Sequence, residues 1–416
     1  MFFLYQILIS LILVISPIIL TYRIIKKKED TLRFKEKFSI TKKKRSSGKL
    51  IWFHGSSVGE IMSIIPIIKH YETNKEINQI LITSSTLSSS KIIKKLKFKK
   101  TIHQFYPIDQ ILITNKFLNH WKPSMAIFVE SEIWPCMFSS LKDKKIPLIL
   151  LNARITRKTF KKWAIIKNFA ELIFNYIDIA FPQNIETKIY LKKLNFRKVI
   201  VTGNLKFIEN HNNTKDKIDS KLKLELNKRK IWVASSTHKS EEEFCARTHI
   251  ELKKKNNKLL TIIIPRHIHR ANEIKKEIKN LNLRLVSHSE KPKNLNKIDI
   301  YLVDTFGETK KFHNISSSVF LGGSIIKRGG QNPLEAARHG AKILHGPNTD
   351  NFKDVYKLLK SFKISKKIKT PKQLALSIVF KKNKKTGIKI KNIGEKILKK
   401  TIKELDKLIT NEFKKT

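Results

Sequence analysis

Short apolar runs, bounded by turn residues and separated by helical patterns, constrain this 416-residue chain more than any other feature. In the first half they fall at Leu50 to Phe53, Ile80 to Thr83, Met125 to Val129, Pro147 to Leu151, Ile177 to Phe181 and Val199 to Thr202. A strand apolar on both faces needs cover on both, and intervening helices supply it, which is the pattern of a parallel sheet. A second set follows at Ile231 to Ala234, Leu260 to Ile264, Leu283 to Val286, Ile298 to Val303, Val319 to Leu321 and Lys342 to Leu344. Asn, Asp and Lys dominate between Phe207 and Lys230, which places a boundary there. The expectation is two doubly wound α/β domains in tandem, residues 23–207 and 230–416, joined by a linker over 208–229. Such sheets bind ligands at the carboxyl ends of their strands, so two of them are expected to face one another across a cleft. Beyond Lys381, Ile393, Ile397, Leu398, Leu405, Leu408 and Ile409 recur at helical spacing and predict a terminal helix packed on a domain.

Residues 1–22 carry no charge and are mostly Leu, Ile and Phe, long enough to cross a hydrocarbon core. Arg23 and Lys26 to Lys28 follow at once. A secretory signal would carry its positive charge first and a small-residue cleavage site after, so the segment reads as an uncleaved anchor with the rest of the chain cytoplasmic. Pro17, Ser10 and Ser16 weaken a true span, and a helix lying in the inner leaflet is the alternative.

The formal charge of +52 raises nucleic acid as a partner. The lysines, however, are scattered over predicted helix faces and loops, and the aromatics lie in predicted strands and in the Glu132-Ile133-Trp134-Pro135 turn rather than along a basic stripe. A solvated surface with some attraction to an anionic leaflet is expected, and no nucleic acid. Cys136 and Cys245 lie in no ligand spacing, which points to a reducing compartment without a disulfide or zinc framework.

The chemistry-bearing residues sit where predicted strands end. His54-Gly55-Ser56-Ser57-Val58-Gly59-Glu60 delivers Glu60 to a helix start, where the macrodipole favours its ionised form. It suits a general base for a hydroxyl, or an acid that only stabilises the first turn. After Val129 come Glu130-Ser131-Glu132; acids two apart cannot share a helix face, so Glu130 is expected to point into the cleft and Glu132 to cap or pair elsewhere. Gly203-Asn204-Leu205-Lys206 brings a lysine that can offset charge on an anionic donor sugar, or serve as a linker lysine. In the second half Ser235 to His238, Pro265-Arg266-His267 and Asp304 to Glu308 end three strands, with Arg266 offering a fork of donors to phosphate oxygens. His267 and His269 lack a third ligand nearby, and the chain holds no Asp-x-Asp pair. A donor site without metal or cofactor is expected.

From Gly329 to Phe352 a glycine-rich turn abuts a helix start: Asn332 offers an N-cap, Pro333 the first helical position, and Glu335 the third residue of a capping box. Backbone N–H groups and the helix end favour a nucleotide phosphate there, with Glu335 left for ribose hydroxyls. A capped structural helix is the alternative.

Together HGSSVGE, ESEIWP, LNARIT, TGNLKF, ASSTHKSEE, PRH, VDTFGE and GGQNPLEAA, in this order, make nearly the whole chain resemble the 3-deoxy-manno-octulosonic acid (Kdo) transferases of lipopolysaccharide biosynthesis. The resemblance implies a GT-B glycosyltransferase with CMP-Kdo as donor and a tetraacylated lipid A precursor as acceptor. It also implies inversion at the anomeric carbon, on the cytoplasmic face of the inner membrane. By position, Glu60 matches the general base, and Glu130 and Lys206 match groups that support the transition state. Pro265 and Arg266, Phe306, Gly307 and Glu308, and Asn332, Pro333, Leu334 and Glu335 match the segments that hold CMP. Gln331 stands where many members carry His, Phe306 where Met is usual, and Ile268-His269 where Pro-Glu is common. Gln331 still donates a hydrogen bond but cannot titrate. The alternatives are another GT-B sugar transferase or a sugar-nucleotide epimerase, since fold does not set substrate, and a nonenzymatic basic protein.

Overall fold

The computed structural model describes residues 1–196, 198–208 and 218–414. The chain divides into two compact units, Met1–Asn210 with Gly394–Thr416, and His211–Ile393.

The first unit holds a parallel sheet of β1 (Leu50–His54), β2 (Gln79–Ser84), β3 (Thr101–Phe105), β4 (Met125–Val129), β5 (Leu148–Ala153) and β6 (Ile179–Pro182), in the spatial order β3-β2-β1-β4-β5-β6. The apolar runs are continuous because successive side chains serve opposite layers. Trp52, Phe128 and Leu150 pack on one face, and Ile51, Phe53, Ile127 and Ile149 on the other. Strand order reverses between β1 and β4, the position where open α/β sheets leave a crevice. β3 was not expected; its Thr101-Ile102-His103-Gln104-Phe105 carries polar residues on a sheet edge and lacks an apolar run. Val199 to Thr202 is not a strand. Val199 makes an isolated bridge to Ala180, and residues 199–201 stay half-exposed.

The second unit is again a parallel sheet: β7 (Lys230–Thr237), β8 (Leu259–Pro265), β9 (Leu285–Ser287), β10 (Ile300–Leu302), β11 (Ser318–Leu321), β12 (Lys342–His345) and β13 (Ser365–Lys367), ordered β13-β12-β11-β7-β8-β10-β9. Its reversal lies between β7 and β11. β13, a largely exposed Ser-Lys-Lys edge, carries no apolar signal. Trp232, Ala234, Ile263, Leu302, Phe320 and Leu344 form the core on one face.

Two boundaries differ from expectation. Residues 209–217 of the expected linker lie outside the described part, and the helix Ser220–Asn227 occupies much of the rest. The terminal helix Lys384–Phe413 does not stay with the second domain, since from Gly394 onward it belongs to the first unit. Leu405 and Ile409 are buried with Ile61, Ile64 and Ile68, and the Tyr71 hydroxyl donates to Asp406 at 3.0 Å. Gly394 permits the approach: a Cβ there would meet the Phe207 carbonyl oxygen at 2.2 Å. Helical periodicity announces such an element but does not say which core takes its apolar face.

Candidate active site

At the β1/β4 reversal the first unit gathers carboxylates. Ser57 caps the helix Val58–Glu72, and Glu60 completes a capping box, its Oε2 accepting the Ser56 N–H at 2.6 Å and its Oε1 the Ser57 hydroxyl at 2.9 Å. Gly55 makes room for this fold-back, because a Cβ there would lie 3.2 Å from that of Glu60. The expectation that the helix start keeps Glu60 ionised is corrected: burial, and then the charges of Glu132 and Glu130, push its carboxyl up to about 7, outweighing the Ser57 hydroxyl and Ser56 amide.

Glu130 caps β4 with φ +60°, a left-handed backbone that costs a non-glycine residue roughly 1–2 kcal/mol. Its buried Oε1 pairs with Lys206 Nζ at 2.7 Å and receives Asn152 Nδ2 at 3.4 Å. Asn152 also has positive φ, at the point where β5 slips register against β6, and its Oδ1 accepts the Leu205 N–H. The bulge turns Asn152 to hold both Glu130 and the segment carrying Lys206.

Glu132 accepts Trp134 Nε1–H at 2.9 Å and sits 3.2 Å from His54 Nε2. His54 is fully buried, which lowers its proton affinity despite Glu132. Thr83 Oγ1 accepts Trp52 Nε1–H, leaving the hydroxyl proton for His54 Nδ1, both at 2.9 Å. A neutral ring then carries its hydrogen on Nε2 and donates to Glu132. This chain of bonds fixes Glu132 in place; the sequence indicated only that Glu132 would pair somewhere other than with Glu130.

The second unit's reversal point is basic. Arg266 follows β8, its N–H donating to Thr237 and its side chain exposed. His238, Arg328 and Gln331 converge on Gly323, each within 3.4 to 3.5 Å of a Cβ built there. A pocket of about 490 Å³ is lined by His238, His267, His269, Arg270 and Arg328 with Lys239, and by Glu273, which pairs with Lys239 and Arg270 at 3.2 and 3.0 Å. Partial desolvation lowers the proton affinity of His238 and His267, and neighbouring Arg266 and Arg328 add to the effect, so these two rings are neutral donors among fixed arginine charges.

The glycine-rich turn differs in detail from expectation. The helix after it, Leu334–Arg338, has five residues and begins one position later, with Pro333 before it. Asn332 Oδ1 still accepts the Leu334 N–H at 3.0 Å. Glu335 turns to His313, 3.4 Å away, instead of closing a capping box; burial would raise its carboxyl, but His313, Lys310 and Arg338 hold it below the ordinary range. Among the described residues the N–H groups of Glu335 and Ala336 have no acceptor. The turn after β11, which begins with Gly322 and Gly323, is already filled. Fully buried Glu241 accepts the N–H groups of Gly323, Ser324, Ile325 and His238 at 2.7 to 3.1 Å, occupying the nest an anion would otherwise enter. Neither Glu241 nor Arg328 was singled out from sequence. Phe306 is 86% exposed beside Gly307 (φ +91°), and Glu308 pairs with Lys311 at 2.8 Å. Pro265 is the buried last residue of β8.

Two doubly wound parallel sheets of this kind define the GT-B class. A glycosyltransferase from Rickettsia africae superposes with a TM-score of 0.53 at 12% identity over 89% of this chain and 100% of its own. The UDP-GlcNAc 2-epimerase of Neisseria meningitidis does so with 0.51 at 15% identity, over 85% of this chain and 100% of its own. Both likenesses concern the fold. Residues 32–209 match the family model described as 3-deoxy-D-manno-octulosonic-acid transferase (kdotransferase). The 3-deoxy-D-manno-octulosonic acid transferase of Rickettsia bellii is 32% identical over 416 residues, 99% of each chain. The chain belongs to the Kdo transferase family.

Proposed function

We propose that the protein transfers Kdo from CMP-Kdo to a tetraacylated lipid A precursor, with inversion, on the cytoplasmic side of the inner membrane, where the apolar helix Phe2–Ile25 holds it. The observation that carries this reading is Glu60, a carboxylate at a strand-order reversal whose proton affinity is set near neutrality. A base works best with a pKa near the operating pH. Glu60 takes the proton of the acceptor hydroxyl as its oxygen bonds to the anomeric carbon. The bond from that carbon to the CMP phosphate oxygen breaks, and the electron pair leaves on CMP. Glu130 and Lys206, locked together at 2.7 Å, support charge at the reacting centre. A single attack from the face opposite the leaving phosphate gives inversion.

On the donor side, Arg266 supplies charge to the phosphate, and the open N–H groups of Glu335 and Ala336 receive further acceptors of CMP. The exposed ring of Phe306 offers a face to the base, with Pro265, Gly307, Glu308, Asn332, Pro333 and Leu334 shaping the seat. Gln331, beside Gly323, contributes a hydrogen bond that does not titrate. The test is incubation of the purified protein with CMP-Kdo and the precursor, followed by mass spectrometry and assignment of the new anomeric centre. A product heavier by one or more Kdo units, with inverted configuration, is expected. Release of CMP without a glycosylated lipid, or retention of configuration, contradicts the reading.

A further inference from the structure

We propose that the helix Phe2–Ile25 lies in the plane of one leaflet, seated lengthwise on the first unit, and that through Tyr5 it ties the Glu130–Trp134 loop to the membrane surface. The partner is an anionic phospholipid leaflet. This deepens the lipid-acceptor reading and rests on it for the role of the loop.

At 24 residues the helix is about 36 Å long. Its sheltered positions, Phe2, Tyr5, Gln6, Ile9, Ser10, Leu13, Ser16, Leu20, Arg23 and Ile24, fall on one side of the helix and so form one stripe from end to end. Both ends are tied to the same unit. At the start, Phe2 and Tyr5 pack against Phe169, ring centroids 6.5 and 6.2 Å apart, and the Tyr5 hydroxyl donates to Asp109 at 2.7 Å. At the end, Arg23 pairs with buried Glu29, which also takes Lys37, both at 2.6 Å. A spanning helix would carry its start about 30 Å across the hydrocarbon, out of reach of a domain that lies on the other side.

The opposite face presents large apolar side chains, among them Phe3, Leu4, Leu8, Val14, Ile18 and Ile25 at 51 to 78% exposure. Water is a poor solvent for a face of this extent, and the surrounding charge names its cover. Exposed Lys26, Lys27 and Lys28 follow one end. Near the other, the helix Arg157–Ile165 adds exposed Lys158, Lys161 and Lys162 beside Ile165, linked through Trp163 to Phe169. An apolar face flanked by cations suits an anionic leaflet entered to the depth of its headgroups.

The seat reaches the site in two steps. Asp109, which receives Tyr5, also accepts the N–H groups of Cys136 and Met137 at 3.1 and 2.8 Å, and these open the helix directly after the Glu130–Trp134 loop. Tyr106, three residues before Asp109, packs its ring at a tilt against both Trp134 and His54, with centroids 4.9 and 3.9 Å away. Tyr5 is therefore a positioning residue for the side of the site that would take a bilayer-embedded sugar.

The test adds a short extension with one cysteine before Met1 of the full chain; Cys136 and Cys245 are buried and stay silent. The protein is bound to preformed sealed vesicles of phosphatidylethanolamine and phosphatidylglycerol and treated from outside with a membrane-impermeant maleimide. Labelling as complete as in detergent is expected. Labelling only after lysis means that the helix spans, and a lipid-free dimer that ignores the vesicles means that a second copy covers the face; either overturns the seat. In parallel, Tyr5→Phe is expected to raise KM for acceptor in vesicles about two- to tenfold, the worth of one hydrogen bond, with kcat and the KM for detergent-dispersed acceptor unchanged. No change in either medium, or equal loss in both, removes the tie. Outside labelling without any transfer of Kdo would refute the acceptor reading and leave the seat standing, whereas transfer with inside-only labelling would do the reverse.

Discussion

The two sheets share one construction, all-parallel strands whose order reverses beside the first strand, and place opposite charge at that reversal. The first unit sets Glu60, Glu130 and Glu132 around the ends of β1 and β4; the second sets Arg266, His238 and Arg328 around the ends of β7, β8 and β11. Each contains a group of the contrary sign, half-buried in the first and fully buried in the second. Lys206 answers Glu130 in the first, and Glu241 fills a ring of amides in the second. Each also has a bulged strand end with a left-handed residue, Asn152 in one and Ser236 in the other. The backbone thus supplies the same crevice twice, and a few side chains at strand ends make one acidic and the other basic.

The largest expected effect comes from the first crevice. Glu60→Gln keeps the shape and removes the proposed base, and turnover should fall by roughly 10² to 10⁴ while CMP affinity stays. Stability gives a second readout. The folded-state value of about 7 lies above the ordinary 4.5, so protonated Glu60 contributes stability that is fully present below about 4.5 and lost as pH rises through about 7. Melting compared at pH 5 and pH 8 should therefore shift in favour of the Gln variant at the higher pH. A variant that melts early and transfers normally would make Glu60 a helix cap only.

Next in size, Arg266→Ala should weaken CMP binding by about 1.5 to 3 kcal/mol, the worth of a charge-assisted hydrogen bond, in calorimetry with or without chelator. Unchanged affinity would take Arg266 out of the donor seat and blur the contrast between the crevices.

Glu241→Gln turns one acceptor into a donor facing backbone N–H groups. It should cost about 1 to 3 kcal/mol of stability in thermal melts. An unaffected melting temperature would mean that Glu241 is not the structural anion of the second crevice.

Least in size, Glu132→Gln removes one of the charges that raise Glu60 and should move the acid limb of transfer to lower pH. A limb that stays in place would separate Glu132 from the base.

Much of this contrast was legible in the sequence, because strand ends follow from apolar runs and the residues just past them inherit a position. The positions of Glu60, Glu130, Arg266 and the Gly329–Glu335 turn after strand ends were read that way. The rest depends on partners distant along the chain. Glu241 reads as an ordinary first-turn acid until Gly323 to Ile325 fold over it, and Arg328 is one cation among many. The proton affinity of Glu60 also escaped, since a helix start argues for ionisation and only burial beside two further carboxylates reverses the balance. Polar β3 and exposed β13 carry no apolar signal, and the last helix shows its period without naming the core it joins.

The most direct test of Glu60 as a base tuned to neutrality is the pH dependence of kcat/KM for Kdo transfer, measured side by side in the native protein and in Glu60→Gln. The account predicts an acid limb centred near 7 in the native protein that is absent from the residual rate of the variant. The same limb in both proteins, or near-normal transfer by the variant, would contradict it.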